Sequence, residues 1–536
     1  MKKTLSLILA LLMVCSIFAF SASAEDVPVV TIGIALNTNV EDYYTNAFTL
    51  FLEEQKNVKI EYVLFTDIDE KLPVMVSSGS ELPDIIVHNL ATSTVWKWAQ
   101  EGIFVPLNDY WEDPEKTTHF DGFLDFTGET DPEGVKAKIL SAVTLPDGNI
   151  YTLPHYDENF WNLAWYRMRL NTAWLEKSGL DFPETLDDFC EILRYFRDND
   201  MNGNGDDSDE VPFTSYGDEV YVWLLNSFLP FNASYNYLNV ENGVVVPAYT
   251  QDAYREGLEY LHGMFEEGLI DPLAFTQDQA QMKALINNAD YEMVGAVASG
   301  TRSIFSMDYR DDYDGNSIIA PVYGPEGVRY ISVAAPSTYG SAYITKYAED
   351  VDLCWDIMEN FYDFEWYLRV REGVEDVNFT RDPDVVATYQ GLFEATTGIR
   401  PIYVRTDNVW GKEQNVNWGT SVFPGIYNQY MVMGSYGQDL MPESGIPKMG
   451  NDERHLATYK PCAPEELLGE LFYLDDELET LGSLQATIKN YVTEMLTSYI
   501  VGKESFDTWD EYLNELNNMG LEEYLEIVQT AYDRQH

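Results

Sequence analysis

Basic residues are scarce in this chain of 536 residues. Lysine and arginine together number 32, against 90 aspartates and glutamates, which gives a formal net charge of -58 at pH 7. Such a polyanion repels nucleic-acid phosphates and anionic membrane surfaces. We therefore expect no nucleic-acid partner, and we expect a neutral or cationic ligand.

Cysteine and histidine are rare as well, with four and six copies. Cys15 lies in an N-terminal apolar stretch that export would remove, which leaves three cysteines, an odd number. The histidines are scattered without the spacing of metal ligands. The sequence therefore predicts neither a disulfide framework nor a zinc site.

Long apolar runs are absent beyond the N-terminus. There, two lysines precede an apolar stretch from Leu5 to Phe20, and Ala22-Ser23-Ala24 offers small residues for cleavage. This order is typical of a secretory signal peptide; the alternative, a membrane anchor, needs a longer stretch. We predict cleavage near Ala24, an exported protein that is extracellular or associated with the cell envelope, and no direct membrane span. Because Cys15 lies inside the apolar stretch without small residues before it, we expect no lipid anchor.

Sequence motifs of the common catalytic sites are missing. The chain has no nucleophile elbow, HExxH helix, phosphate-binding loop or dinucleotide fingerprint. Its 90 acidic residues form so many candidate carboxylate pairs that no pair is diagnostic of a glycoside hydrolase. We predict that the protein is not an enzyme, and an exported glycoside hydrolase is the alternative.

Length and composition predict a packed protein of more than one lobe. Hydrophobic residues make up 45% of the chain and aromatic residues 14%, and 536 residues exceed what one compact core usually supports. The chain after the signal peptide alternates strands and helices, at 29–36, 41–54, 58–64 and 84–88. This βαβαβ order predicts a parallel sheet, whose ligands bind beyond the carboxyl ends of the strands. Asn37, Asn39 and Asn89 follow two of these strands and are candidate ligand contacts.

Oxygen-bearing side chains recur at every second position in an acidic loop from Asp198 to Glu210. Gly203 and Gly205 permit a tight turn between them, which is how a short loop surrounds a hard cation such as calcium. The predicted ligands of a structural calcium ion are Asp200, Asn202, Asn204, Asp206, Asp209 and Glu210. An alternative register adds Asp198, and a solvated acidic turn is the alternative to any metal site.

Tryptophans beside asparagine, aspartate and glycine form a further candidate site. A flat aromatic ring can cover the apolar face of a sugar while amides and carboxylates bond its hydroxyl groups. Trp161, Leu163 and Trp165 occupy every second position, so they would share one face of an extended segment. Trp223, Trp410 and Trp418 add further rings, although large aromatic residues more often belong to cores.

Several short stretches, spread over most of the chain, carry a family resemblance. They are Lys71-x-x-x-Met75-x-x-Ser78-Gly79-x-x-x-Pro83-Asp84-Ile85, Asp147-Gly148-x-Ile150-Tyr151, Trp174-Leu175-x-x-x-Gly179-Leu180, Asn202-Gly203-Asn204-Gly205, Glu267-Gly268-Leu269-Ile270-Asp271-Pro272 and Gly520-Leu521-x-x-Tyr524. Together they resemble the extracellular solute-binding proteins of carbohydrate ABC importers, in the large, lipoprotein-type branch that contains a calcium loop.

The resemblance implies an α/β fold: the two-lobe periplasmic-binding-protein fold with a hinged ligand cleft and additional C-terminal helices. We expect a signal peptide at 1–24, lobe one from 25–150 plus about 295–335, and lobe two from about 151–294 plus about 336–536. The implied function is that of a monomeric extracellular substrate-binding receptor of an ABC transporter. It would capture an oligosaccharide or other carbohydrate for the importer permease and its ATPase. An oligopeptide-binding receptor is an alternative.

With this fold, sugar contacts are expected from both lobes. Lobe one would provide Asn37, Asn39 and Asn89. Lobe two would provide the rings of Trp161, Trp165, Trp223, Trp410 and Trp418. Arg302 could bond sugar hydroxyls or an acidic sugar group, with a surface salt bridge as the alternative.

Overall fold

The computed structural model describes residues 27–127, 131–300, 304–305, 318–387, 402–407, 409–410, 412–428, 433–434, 451–469, 471 and 473–535. Its strands are β1 (Val29–Ala35), β2 (Lys59–Phe65), β3 (Ile85–Val87), β4 (Leu153–Asp157), β5 (Met168–Leu170), β6 (Val211–Thr214), β7 (Leu238–Glu241), β8 (Val244–Pro247), β9 (Val294–Ala298), β10 (Ser337–Ile344), β11 (Phe379–Thr380), β12 (Tyr403–Arg405), β13 (Gly425–Tyr427) and β14 (Met433–Gly434).

Helices are interspersed with these strands along the described chain. They are α1 (Ala47–Lys56), α2 (Ile68–Ser78), α3 (Thr92–Gln100), α4 (Asn108–Trp111), α5 (Thr118–Thr127), α6 (Pro132–Val143), α7 (Phe160–Leu163), α8 (Thr172–Ser178), α9 (Leu186–Arg197), α10 (Glu219–Leu225), α11 (Asp252–Glu266), α12 (Gln279–Ile286), α13 (Val351–Glu359), α14 (Phe364–Glu372), α15 (Asn451–Tyr459), α16 (Asp475–Ile500), α17 (Trp509–Asn518) and α18 (Leu521–Gln535). Within the described ranges, no helix combines the length and apolar composition that crossing a bilayer requires.

Internal contacts divide the chain into two compact units. Unit 1 contains the described residues of Met1–His155, Tyr339–Val374 and Val409–Gly425. Unit 2 contains those of Tyr156–Thr338, Glu375–Asn408 and Ile426–His536. The chain therefore passes between the units several times, and β4, β10 and β13 each include a point of passage.

The predicted parallel βαβαβ arrangement is present in unit 1. β1 pairs in parallel with β2 on one side and with β3 on the other, so that Ile32 lies opposite both Tyr62 and Ile85. The full sheet has the order β13-β4-β10-β3-β1-β2, and β10 runs antiparallel to β3. Ile32 and Ile85 are completely buried, which is why apolar runs at these positions could be recognised as strands.

The first helix begins later than the periodic pattern predicts, at Ala47 instead of residue 41. Polar side chains in this stretch accept hydrogen bonds from backbone N–H groups and form turns. Asp42 Oδ1 accepts the N–H of Tyr44 at 2.9 Å, and Asn46 Oδ1 accepts that of Phe48 at 3.1 Å. Such local bonds compete with helical ones and place Asn46 as the N-cap.

Unit 2 is built around a small sheet with the order β5-β9-β6. β9 is buried along its full length, antiparallel to β5 and parallel to β6. This pairing corrects the predicted assignment of residues from about 295 to 335 to lobe one, because β9 and the residues up to Thr338 belong to unit 2. β9 is a short apolar run, and a run of this kind does not show which sheet its strand will join.

The predicted allocation of everything after about residue 336 to lobe two also needs correction. The segment Val409–Gly425 belongs to unit 1, where Gln414 forms a parallel bridge with Val40. Asn46 adds a bond from its Nδ2 to the carbonyl of Asn417 at 2.7 Å. Trp410 and Trp418 therefore lie in unit 1, not in the second lobe as predicted.

Candidate functional site

The segment around Trp161 and Trp165 does not form the extended stretch that its alternation predicts. Residues Phe160–Leu163 make a single helical turn, because Asn159 Oδ1 accepts the N–H of Trp161 at 2.9 Å and caps it. Trp161 is half-buried against the core of unit 2, whereas Trp165 is 40% exposed. The two rings thus have different surroundings within one unit.

Arg167 connects both rings to the backbone beneath them. Its guanidinium carbon lies 3.5 Å from the centroid of the Trp161 ring, a cation–π contact. The same guanidinium donates to the carbonyls of Trp161 and Gly300. Arg167 is fully buried, so its side chain supports the Trp161 and Gly300 backbone from inside unit 2.

The imidazole ring of His455 also contacts Trp161, in a T-shaped arrangement with 5.2 Å between ring centroids. Burial, together with the charges of Arg167 and Arg169, lowers the pKa of His455 well below its ordinary value. The ring is therefore neutral at physiological pH and acts as packing beneath Trp161.

Trp165 is the more exposed of these two tryptophans, and two contacts fix its indole ring. Its Nε1 donates to Glu219 Oε1 at 2.8 Å. Its indole also lies directly against Gly300, where a Cβ would come within 2.1 Å of the ring. Only glycine fits beneath the ring at that position, so one indole face rests on backbone while the side chain keeps its exposure.

Glu219 is a buried acid at the start of α10, with 5% of its surface exposed. Burial raises the pKa of its carboxyl to about 7, although hydrogen bonds from Trp165 and from the N–H of Gly300 favour the charged form. The neighbouring acid, Asp218, accepts the hydroxyl of Tyr166 at its Oδ2 atom, at 2.8 Å. Its charge also helps to raise the pKa of Glu219.

Two predicted ligand contacts are core residues instead. Trp418 is completely buried in unit 1, in edge contact with Phe48 and Tyr62, and its Nε1 donates to Thr49 Oγ1 at 3.0 Å. Trp223, in unit 2, is 5% exposed and donates to the hydroxyl of Tyr459 at 3.0 Å. The structure contradicts the prediction for both residues, because Trp418 is completely buried and Trp223 nearly so.

The asparagines predicted in lobe one have three different environments. Asn37 uses its side chain within unit 1, donating from Nδ2 to the carbonyl of Gly419 at 2.5 Å and accepting the N–H of Asn39 at 2.9 Å. This gives Asn37 a structural role. Asn39 is half-buried close to it in sequence, and Asn89 is exposed two residues beyond the end of β3.

The other two predicted contacts divide between the described and undescribed parts of the chain. Trp410 is half-buried in unit 1. Arg302 lies outside the described residues, so its predicted role stays a prediction.

The acidic loop connects α9 to β6, and its polar side chains bond to one another and to the loop backbone. Both oxygens of Asp200 accept backbone N–H groups, from Gly203 at 2.6 Å and from Gly205 at 2.9 Å. Asn202 and Asn204 donate from their Nδ2 atoms to the two oxygens of Asp209, at 3.2 and 2.7 Å. Gly203 and Gly205 have φ angles of 77° and 90°, which bend the loop into this shape.

Glu210 is the last residue of the acidic loop and is only 8% exposed. Its Oε1 accepts the N–H groups of Met201 and Asn202, whereas its Oε2 has no hydrogen-bond partner among the described residues. Burial raises the pKa of this carboxyl. A buried carboxylate oxygen without a partner beside other oxygen donors fits a hard cation.

Two predicted ligands have other partners. Both oxygens of Asp198 accept from Arg197, at 2.6 and 2.9 Å, and this ion pair lowers the pKa of Asp198. The alternative register that adds Asp198 stays a prediction, and it would require this carboxylate to exchange or share its bonds with Arg197. Asp206 Oδ1 accepts from the hydroxyl and the N–H of Ser208. Among the described residues no three acidic, histidine or cysteine side chains converge as a metal site, so a cation here would depend on the oxygens of Asn202 and Asn204.

Three residues that fix the rings of Trp161 and Trp165 were not predicted from the sequence: Arg167, Glu219 and Gly300. Arg167 carried a usable signal, since arginine is scarce in this chain and this one follows Trp165 by two positions. Glu219 carried none, because it is one of 90 acids and lies 54 positions from its partner Trp165.

Comparison with known proteins identifies the class to which this chain belongs. The family model of the bacterial extracellular solute-binding proteins matches residues 37–363. The chain therefore belongs to this family, which is one of binding proteins, and the predicted family is confirmed.

The relatives include a sugar-transport protein of similar length. The fructooligosaccharide ABC transporter substrate-binding protein FusA of Streptococcus pneumoniae is 25% identical over 504 residues, which cover 90% of this chain and 86% of FusA. Two solved FusA structures, one with kestose and one of an EF-hand mutant with fructo-nystose, each match with a TM-score of 0.72. At 22% identity each covers 95% of this chain and 99% of the FusA chain. This likeness confirms the predicted fold class.

Proposed function

We propose that this chain is the extracellular substrate-binding receptor of an ABC transporter and that it captures an oligosaccharide or other carbohydrate for import. The similarity to FusA along nearly the whole chain supports the proposal. Within this function the chain binds and releases its ligand and carries out no chemical step.

The observation that carries the proposal is the exposed indole of Trp165. An indole that is 40% exposed yet held by a buried acid and packed on a glycine offers a flat apolar surface of fixed orientation. Such a surface suits the apolar face of a sugar ring. Asp218 and Tyr166, which are bonded to each other and adjacent in sequence to Glu219 and Trp165, are candidates for polar contacts with the sugar hydroxyl groups.

Charge in this region favours a neutral carbohydrate. Asp218 and the partly ionised Glu219 bring negative charge to this region, whereas the guanidinium groups of Arg167 and Arg169 are fully buried and donate to backbone carbonyls. The chain as a whole is strongly negative. Sugars with carboxylate groups would be repelled, so we expect neutral oligosaccharides to bind more tightly than uronates.

A thermal-shift panel tests the proposal. Neutral oligosaccharides, uronate oligosaccharides and oligopeptides are added to the wild type, to Trp165→Ala and to Tyr291→Ala, a control that removes another exposed ring of unit 2, 46% exposed. We expect a neutral oligosaccharide to raise the melting temperature of the wild type and of the control, and much less that of Trp165→Ala.

The other outcomes favour other functions. A rise with oligopeptides alone would point to a peptide-binding receptor. Release of smaller sugars from any oligosaccharide, measured by chromatography, would favour a glycoside hydrolase and contradict the receptor.

We further propose that the acidic loop binds a structural calcium ion through Asp200, Asn202, Asn204, Asp209 and Glu210, with Asp206 as a further ligand. Every donor is an oxygen, as calcium prefers, and an amide oxygen that accepts a backbone N–H keeps a lone pair for the cation. The FusA structure described as an EF-hand mutant supports a cation loop in that relative. Bound calcium would join the end of α9 to the start of β6.

The expected location and partners complete the proposal. The first residues, which lie outside the described ranges, would direct export and be removed near Ala24, leaving an extracellular or envelope-associated monomer without a lipid anchor. Its protein partners would be an importer permease and the ATPase that drives it. N-terminal sequencing of the secreted protein and its sedimentation coefficient test cleavage and monomeric state.

A further inference from the structure

The buried acid Glu219 contacts Trp165, and its position there does not stabilise the fold. Glu219 Oε1 accepts from the indole Nε1 of Trp165 at 2.8 Å, and the carboxyl is also bonded by the N–H of Gly300. Its second oxygen, Oε2, is buried without a hydrogen-bond partner among the described residues. Leaving a carboxylate oxygen in this state destabilises the fold.

The indole does not need this acid in order to be satisfied. Because Trp165 is 40% exposed, water could receive its N–H at little cost. What Glu219 provides is direction: it bonds the ring edge, while Gly300 supports the ring face at a distance that excludes even a methyl group. Arg167 holds the Gly300 carbonyl in turn. Ring edge and ring face are thus both fixed from below.

We propose that Glu219 is a positioning residue that holds the Trp165 indole in one orientation and so prepares it as a platform for a sugar ring. The inference rests on the proposed carbohydrate function for the identity of the ligand, but the positioning itself does not. A ring that is already ordered loses less side-chain freedom when a ligand stacks on it. Removing Glu219 should therefore weaken binding by about 3- to 10-fold, as expected for one side chain that must be ordered on binding.

The positioning is tested without any ligand. 5-Fluorotryptophan is incorporated into the full chain, and the Trp165 fluorine signal is assigned from its loss in Trp165→Phe. We expect Glu219→Ala to shift and broaden that signal, and Glu219→Gln to preserve it, because the glutamine amide oxygen still accepts both N–H groups. Gly300→Ala, which leaves Glu219 intact but places a methyl group against the ring, should displace the signal as well. An unchanged signal in Glu219→Ala would overturn the inference.

The consequence for binding is tested with kestose and maltotriose, two neutral trisaccharides, by calorimetry. For any trisaccharide that the wild type binds, we expect weaker binding in Glu219→Ala, nearly normal binding in Glu219→Gln, and no further effect of Glu219→Ala once Trp165 is alanine. Equal effects of Glu219→Ala with and without the Trp165 ring would refute a role through that ring. If neither trisaccharide binds the wild type, the proposed function loses support, and the fluorine signals still decide whether Glu219 positions the indole.

Discussion

Replacing Trp418 by alanine should destabilise unit 1 strongly and leave the ligand surface of unit 2 unchanged. The ring is completely buried, with centroid distances of 5.0 Å to Phe48 and 5.6 Å to Phe361. Its N–H is bonded to Thr49. Removing a buried tryptophan typically costs about 3–5 kcal/mol through lost burial and the cavity left behind, and here Thr49 also loses its donor.

The exposed Trp165 gives the matched comparison. Trp165→Ala removes a ring that is 40% exposed, so its effect on the free energy of unfolding should stay below about 1 kcal/mol. At about 2–4 °C per kcal/mol for a unit of this size, Trp418→Ala should lower the melting temperature of unit 1 by roughly 6–20 °C. Calorimetry and urea unfolding of both variants, followed by glycan binding below the transition, measure the contrast.

One result would refute the core assignment. If Trp418→Ala kept the wild-type melting temperature but lost glycan affinity, Trp418 would line a binding surface, as its sequence context had predicted. A loss of stability together with normal affinity at low temperature is the expected result.

Three further predictions concern charge and metal. Burial raises the pKa of Glu219 from 4.5 to about 7, so the wild type is most stable at low pH and loses stability as pH rises through about 7. Glu219→Gln does not titrate, so its unfolding free energy relative to the wild type should increase by up to about 3 kcal/mol between pH 4.5 and 8. A difference that stays constant over this range would contradict the prediction. His119 faces Asp363 and Glu359, with closest N–O distances of 3.7 and 3.9 Å, which helps to raise its pKa. The stabilisation by charged His119 is thus complete below its ordinary pKa of 6.5 and lost at higher pH, and His119→Asn should melt below the wild type at pH 6 but not at pH 9. Calcium at 100 times its dissociation constant should add about 2.7 kcal/mol of stability, Asp209→Asn should reduce this gain, and chelation that abolished glycan binding without lowering the melting temperature would contradict a structural role.

The strands of unit 1 could be predicted because their signal is local. Apolar residues in β1, β2 and β3 recur over short runs, and the intervening helices require parallel pairing. The start of α1 could not be placed in the same way, since Asp42 and Asn46 satisfy both turn and helix patterns and only their hydrogen bonds decide between them.

The aromatic candidates show where local signals end. Trp165 and Trp418 both stand beside small or polar residues, yet one is exposed and the other fully buried. Burial of Trp418 depends on Phe48 and Phe361, and the support of Trp165 depends on Gly300 and Glu219. All of these residues are far away in sequence, so no window around either tryptophan contains the information.

The sequence by itself determined the strongly acidic character, the parallel pairing of the first strands, the oxygen donors of the acidic loop and the family. These follow from composition, short-range periodicity and spacing, which are properties of neighbouring residues. Only the tertiary structure decided which unit β9 and Trp418 join, which loop acid is used by Arg197, and that Glu219 supports Trp165. Each of those depends on the packing partner or hydrogen-bond partner that folding brings to a side chain, and a partner 54 positions away leaves no local trace in the chain.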